Sequence, residues 1–279
     1  MASNPTIAII GSGVMAEAMI SGILKQKVTI AEKIRTADVR LERVNELKDR
    51  YGVVPFTDNL QAIDHSDVVI LAVKPQRIES VYAILRGKIP TGAVVLSIVA
   101  GASIAAISHG LDYNAVIRAM PNTPAQIGEG ITVWVASQAV REDQVEMARQ
   151  ILTAMGEEVL ADEEDYLDMA TALSGTGPAY VFLFMEAMID AGVHLGFPRR
   201  ISEQLVGQTL RGSTDFFLGT KTHPAHLRNL VTSPGGTTAE ALYYLEKAGF
   251  RTAISRAIWA AYEKSKALGR GKNGEAPEK

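Results

Sequence analysis

Cysteine is absent from the 279 residues. That excludes disulfides, thiolate nucleophiles and cysteine-ligated zinc, and makes a reducing compartment, the cytoplasm, the default setting. An excess of one charge is lacking too. The chain has 28 basic and 31 acidic residues, a formal net charge of −3 and a pI near 6.0. Nothing therefore draws it electrostatically to nucleic acid or an anionic membrane, and neither is expected as a partner. Apolar runs are short: Val68 to Val73 and Val94 to Ala100 span six or seven residues, against the roughly 20 needed to cross a bilayer as a helix. They read as buried strands. The start, Met1-Ala2-Ser3-Asn4-Pro5, has no basic region, long apolar core or cleavage site of a signal peptide, so export is not expected. Of the five histidines, only His223 and His226 are close, and Pro224 between them with no acidic cluster nearby argues against a metal.

What the chain has is apolar content, 47% of residues, enough for one large core or two modest ones. From Thr6 to about Ala136, short β-branched runs alternate with helical segments, the pattern of a parallel α/β fold. Strands are predicted at Ile7–Ile10, Thr29–Asp38, Val68–Val73, Val94–Ile98 and Ala115–Arg118, with helices at Ala16–Gln26, Leu41–Tyr51 and Arg77–Leu85. After Met155 helical periodicity takes over, over Asp165–Ser174, Ala179–Leu195 and Pro198–Leu218, from the Gly235-Gly236 turn to Lys247, and from Phe250 to Gly269. The fold class predicted is a Rossmann-type α/β N-terminal domain, residues 1–164, followed by an all-α C-terminal domain, residues 165–270. A polar tail, 271–279, is predicted to be disordered.

The segment Ile7-Ala8-Ile9-Ile10-Gly11-Ser12-Gly13-Val14-Met15-Ala16 is an apolar strand running into G-x-G-x-x-A and then a helix former. Gly11 permits the tight turn, Gly13 lets a pyrophosphate approach the backbone, and Ala16 lets the helix pack closely. Amides at the helix start hold the anion. Asp38, 27 residues after Gly11, could accept hydrogen bonds from the adenosine ribose of NAD. Arg40 could instead pair with the 2′-phosphate of NADP, so the two residues point in opposite directions. The blander reading of both is solvated charge beside the amphipathic stretch Arg40–Arg50.

In the second half, Pro234-Gly235-Gly236 followed by Thr237-Thr238-Ala239-Glu240 can turn backbone amides inward and add a helix dipole, which together receive a carboxylate without an arginine. The competing reading makes Thr237 or Thr238 a simple N-cap. Ser174-Gly175-Thr176-Gly177-Pro178 is a second glycine-rich turn, readable as a helix start or as part of a site. Tyr180 and Tyr262 are candidate proton donors, though helical tyrosines are more often core or interface residues.

Taken in order, several motifs make the chain resemble the pyrroline-5-carboxylate reductases: the glycine-rich turn, Leu71-Ala72-Val73-Lys74-Pro75, Ser97-Ile98-Val99-Ala100-Gly101, Arg118-Ala119-Met120-Pro121-Asn122-Thr123-Pro124, Leu173-Ser174-Gly175-Thr176-Gly177-Pro178-Ala179-Tyr180 and Val231-Thr232-Ser233-Pro234-Gly235-Gly236-Thr237-Thr238. The resemblance implies reduction of Δ1-pyrroline-5-carboxylate to L-proline, the last step of proline biosynthesis, with NADPH or NADH. It also implies a homodimer with interleaved helices, or a larger homo-oligomer, built on the C-terminal domain.

By the same resemblance, Gly11, Ser12, Gly13, Val14 and Met15 hold the pyrophosphate and Asn59 lies by the adenosine. Ala72, Val73, Lys74 and Pro75 line the cofactor groove, and Ala100 and Gly101 lie near the nicotinamide. Ser233, Pro234, Gly235, Gly236, Thr237 and Thr238 form the substrate loop, with the Thr238 hydroxyl facing the imine nitrogen. Val14 stands where asparagine is frequent, and Thr176 replaces a serine. The rival enzyme, a β-hydroxyacid dehydrogenase, needs a lysine in its first long second-domain helix, and Ala179–Leu195 contains none. A reductase of another cyclic imine and a non-catalytic NAD(P)H-binding protein are the remaining alternatives.

Overall fold

The computed structural model describes residues 4–269, so the tail 271–279 lies outside the described residues. By compactness the chain forms two units, Met1–Thr176 with Ala261–Lys279, and Gly177–Ala260.

The first unit runs β1 (Ile7–Ile10), α1 (Val14–Lys25), β2 (Ile34–Ala37), α2 (Leu41–Tyr51), β3 (Val54–Phe56), α3 (Asn59–Ile63), β4 (Val68–Leu71), α4 (Ile78–Leu85), β5 (Val94–Ser97), α5 (Ile104–Leu111), β6 (Val116–Met120), β7 (Gly130–Ala136), α6 (Glu142–Thr153), β8 (Gly156–Leu160) and α7 (Tyr166–Ala170). The eight strands form one sheet in the order β3-β2-β1-β4-β5-β6-β7-β8. The alternation of side chains along the strands builds a core on each face. Ile7 and Ile9 pack with Met19, Ile20, Ile23 and Leu152 on one side, while Ala8 and Ile10 pack with Val81, Leu85, Ile107 and Leu111 on the other. Both faces are covered, which is why the strands read as continuous apolar runs.

Four expectations change. The strand predicted over Thr29–Asp38 is confined to β2, because Ala31–Lys33 forms a 3-10 turn first. The sheet is not wholly parallel: β7 runs antiparallel to β6. Nor does it stop before Met155, since β8 follows and pairs with β7; its sequence, Gly-Glu-Glu-Val-Leu, carries a strand signal too weak to see without its partner. The helix expected over Asp165–Ser174 splits into α7 and a π-turn at Thr171–Gly175. With Leu167 and Ala170 buried against β6 and β7, α7 belongs to the first compact unit.

The second unit comprises α8 (Gly177–His194), α9 (Arg199–Thr220), α10 (Pro224–Leu230), α11 (Thr237–Lys247) and the start of α12 (Phe250–Gly269). Helices α8 and α9 form a hairpin whose close approach places Ser202 Oγ only 2.7 Å from where a Cβ at Gly192 would stand. Little else is covered. No residue of α8 is buried, and Phe182 and Leu183 are 61% and 68% exposed. The helical stretch Tyr166–His194 is, by length and composition alone, long and apolar enough to cross a membrane. The short strand runs, where sequence reading sought such a segment, are not where that property lies.

Candidate functional site

The sheet order reverses between β1 and β4, and the loops leaving their C-terminal ends lie side by side, the place where open α/β sheets bind ligands. Gly11 N donates to Ala37 O at 2.8 Å, and Ala72 N donates to Ile10 O at 2.8 Å. The turn is possible only with glycine at position 11. Its φ is +97°, and a Cβ there would stand 2.7 Å from Ala72 O. Gly13 presents the opposite case: a Cβ would meet nothing within 4 Å, so the backbone borders open space. Gly13 is also the N-cap of α1, with no side chain capping the helix. The amides of the first turn are left for an outside anion.

Ser12 is buried, its hydroxyl 2.7 Å from that of Thr36, and its backbone is gripped from both sides. Ser12 N donates to Asp38 Oδ2 at 3.0 Å, and Arg43 Nε donates to Ser12 O at 2.7 Å. Asp38 Oδ1 accepts from both Arg40 N, at 3.0 Å, and Arg40 Nε, at 3.2 Å. Burial by itself would raise the Asp38 pKa. The hydrogen bonds from Arg40 and Ser12 and the Arg40 charge outweigh it, and the carboxyl sits below its ordinary value. Glu17, where burial is likewise outweighed by Arg43, Tyr51 and Arg50, is also lowered. Asp38 and Arg40, which sequence alone set in opposition, are thus one ion pair.

The remaining cofactor-side candidates occupy neighbouring loops of the same sheet edge. Asn59 is the first residue of α3, whose start Asp58 caps by accepting from Leu60 N at 2.9 Å. Ala72 and Val73 follow β4 and are half-buried, and exposed Lys74 and Pro75 lead into a 3-10 turn. Ala100 and Gly101 follow β5; Gly101 has a φ of +76°, with Leu268 of α12 packed beside it.

Next to that loop lies a cluster that sequence reading passed over. Arg118, 6% exposed, donates to Glu164 at 2.9 Å and reaches Asp168 at 3.5 Å. Glu164 also accepts from Ile104 N, and Asp168 from Ser265 Oγ at 2.7 Å. Asn122 was also missed as a positioning residue. Its Nδ2 donates to Ser174 O and its Oδ1 accepts from Ile131 N, so it tethers the π-turn of the Ser174-Gly175-Thr176 motif to β7. Only the presence of Arg118 and Asn122 inside recognisable motifs pointed to either.

In the second unit, Gly236 N donates to Ser233 O at 3.1 Å, with Pro234 and Gly235 between them and Gly235 at φ +69°. Proline followed by a positive-φ glycine is the type II turn pattern. Gly236 is the N-cap of α11 and no side chain caps it, so Thr237 and Thr238 are the first helical residues. The reading of either threonine as an N-cap fails for that reason. Of the other candidates, His223 caps α10, its Nδ1 accepting from Ala225 N at 3.2 Å, while Tyr180 lies in α8 and Tyr262 in α12.

Comparison with known proteins agrees with this arrangement along the whole chain. Residues 164–268 match the pyrroline-5-carboxylate reductase dimerisation family, and residues 6–101 match a family described as NADP oxidoreductase, coenzyme F420-dependent. A pyrroline-5-carboxylate reductase from Synechocystis is 42% identical, covering 95% of this chain and 98% of its own. The solved reductase of Coxiella burnetii superposes with a TM-score of 0.86 at 35% identity, over 95% of this chain and 99% of that one. The Plasmodium falciparum pyrroline carboxylate reductase, solved with NADP bound, gives 0.87 at 32% identity, over 96% and 99%. A relative this similar over nearly its full length leaves one assignment: the chain belongs to the pyrroline-5-carboxylate reductase family.

Proposed function

We propose that the protein reduces Δ1-pyrroline-5-carboxylate to L-proline, with residues 1–164 binding NADPH or NADH and residues 165–270 supplying the substrate loop and the dimer contact. The observation that carries the reading is the uncapped α11 start behind the Ser233–Gly236 turn, a second anion site that a nucleotide-binding protein without a substrate would not need. The residues of the first unit fit a dinucleotide: the space over Gly13 and the free first-turn amides of α1 suit a pyrophosphate. When bound, the reduced nicotinamide supplies the hydride.

The chain's own residues bind and orient. Amides at the start of α11 receive the substrate carboxylate, and the Thr238 hydroxyl, able to donate or accept, holds the imine nitrogen in either protonation state. A protonated cyclic imine is already a strong hydride acceptor, so no strong acid is required and most of the acceleration comes from positioning.

The test is the rate of nicotinamide absorbance loss when the purified protein meets Δ1-pyrroline-5-carboxylate, with a six-membered cyclic imine as control. Rapid loss with the five-membered ring is expected; loss only with the larger ring would reassign the substrate. In Thr238→Ala, turnover falls roughly a hundredfold with cofactor affinity kept, and unchanged turnover would remove Thr238 from the mechanism. Homo-oligomerisation follows from the uncovered apolar side chains of α8 within a stretch matched to a dimerisation family. Static light scattering at micromolar concentration is expected to give at least twice the 30.0 kDa chain mass; the monomer mass would refute it.

A further inference from the structure

We propose that Asp38 is an internal strut of the glycine-rich loop rather than a ribose acceptor, and that the Arg40 it holds selects the cofactor, giving NADPH over NADH. The inference rests on the dinucleotide role proposed for this loop. A carboxylate that reads an adenosine ribose needs both oxygens available to the two hydroxyls. Here three protein donors already occupy them: Oδ1 accepts from Arg40 N and Arg40 Nε, and Oδ2 accepts from Ser12 N. With about two acceptor positions per oxygen, one remains, on a side chain only 13% exposed.

The usual reason an aspartate here excludes NADP is repulsion of the 2′-phosphate, and that reason is weakened. The Asp38 charge is matched by Arg40 at 3.2 Å, and the Arg40 side chain is 62% exposed with only Nε used in the pair. Its two Nη groups form a fork suited to phosphate. The turn does not shield them, since Val39 between the partners is 92% exposed. Arg43, the other guanidinium beside the loop, cannot compete for the role. Its Nε is bound to Ser12 O and its two Nη groups to Glu17 and Glu46. The loop therefore has one arginine that holds its backbone and another that faces outward from a carboxylate anchor.

Calorimetric titration of the full-length protein tests this without turnover. Adenosine 2′,5′-bisphosphate is expected to bind roughly 10- to 100-fold more tightly than AMP, the value of one charged phosphate contact, and NADPH more tightly than NADH by a similar factor. Arg40→Ala collapses both ratios. Asp38→Asn weakens NADPH and NADH in parallel, because it loosens the shared loop. Equal binding of the two nucleotide fragments to the unmodified protein would overturn the proposal, as would an Asp38→Asn variant that loses NADH affinity alone while gaining NADPH. Retained fragment discrimination without imine reduction would instead sink the proposed reaction and leave this inference standing.

Discussion

Gly11→Ala is expected to cost about 3 kcal/mol of stability and to lower the unfolding midpoint by roughly 6–12 °C, with cofactor affinity falling more than tenfold. Two penalties combine. A φ of +97° is strained for any side chain with a Cβ. The added carbon would also overlap Ala72 O, at 2.7 Å, and Val73 Cγ1, at 2.9 Å. Neither neighbour yields easily, because Ala72 N is bonded to Ile10 O and β4 is paired on both sides. Relief has to come from the loop, and it is the loop that presents the first amides of α1. Gly13→Ala provides the contrast, since open space surrounds that position; its stability should change by less than about 1 kcal/mol while cofactor binding still suffers. Thermal unfolding of the two variants, each titrated with NADPH, checks both statements. A Gly11→Ala protein as stable as its parent would show that the loop rearranges at no cost.

The second large effect is expected at Arg118. Arg118→Met leaves Glu164 and Asp168 facing each other without their shared cation and should destabilise the first unit by about 3 kcal/mol, the usual cost of removing one partner from a buried pair. Since Glu164 is about a third exposed, water can reach it, which argues for the lower end of the range. Ser265→Ala removes one hydrogen bond to Asp168 and should cost about 1 kcal/mol. The cluster ties the start of α5, the middle of β6, α7 and the last turns of α12 together, around the loop that carries Gly101. Urea unfolding of the two single variants and the double variant measures this, with a coupling energy expected between them. A loss below about 1 kcal/mol for Arg118→Met would mean that the two carboxylates find other partners.

Much of the first unit was legible from local pattern. Ile7–Ile10 reads as a strand because four apolar residues end at a glycine, and α2 was located at Leu41–Tyr51, the span it occupies. The long helices of the second unit fell close to their predicted spans, α9 at Arg199–Thr220 against Pro198–Leu218. Strands β3, β7 and β8 were missed. β3 has three residues, one of them proline, and β8 has only two apolar side chains at its end; both exist through pairing with a neighbour, which no window of sequence contains.

The same division runs through the site. The chain's order of motifs was enough to identify the family, and glycine positions alone indicated where the backbone must turn, because a positive φ and a missing Cβ are properties of one residue. What Asp38, Arg40 and Arg118 do was decided by tertiary structure. Asp38 and Arg40 lie two residues apart in either reading, and only the fold brings Ser12 N onto the free carboxylate oxygen from 26 residues away. Arg118 finds Glu164 across 46 residues, and Asp168 finds Ser265 across 97. Spacing along a chain encodes periodicity and turns; which charges meet depends on where the sheet and its covering helices carry them, and that is set by the packing of the whole unit.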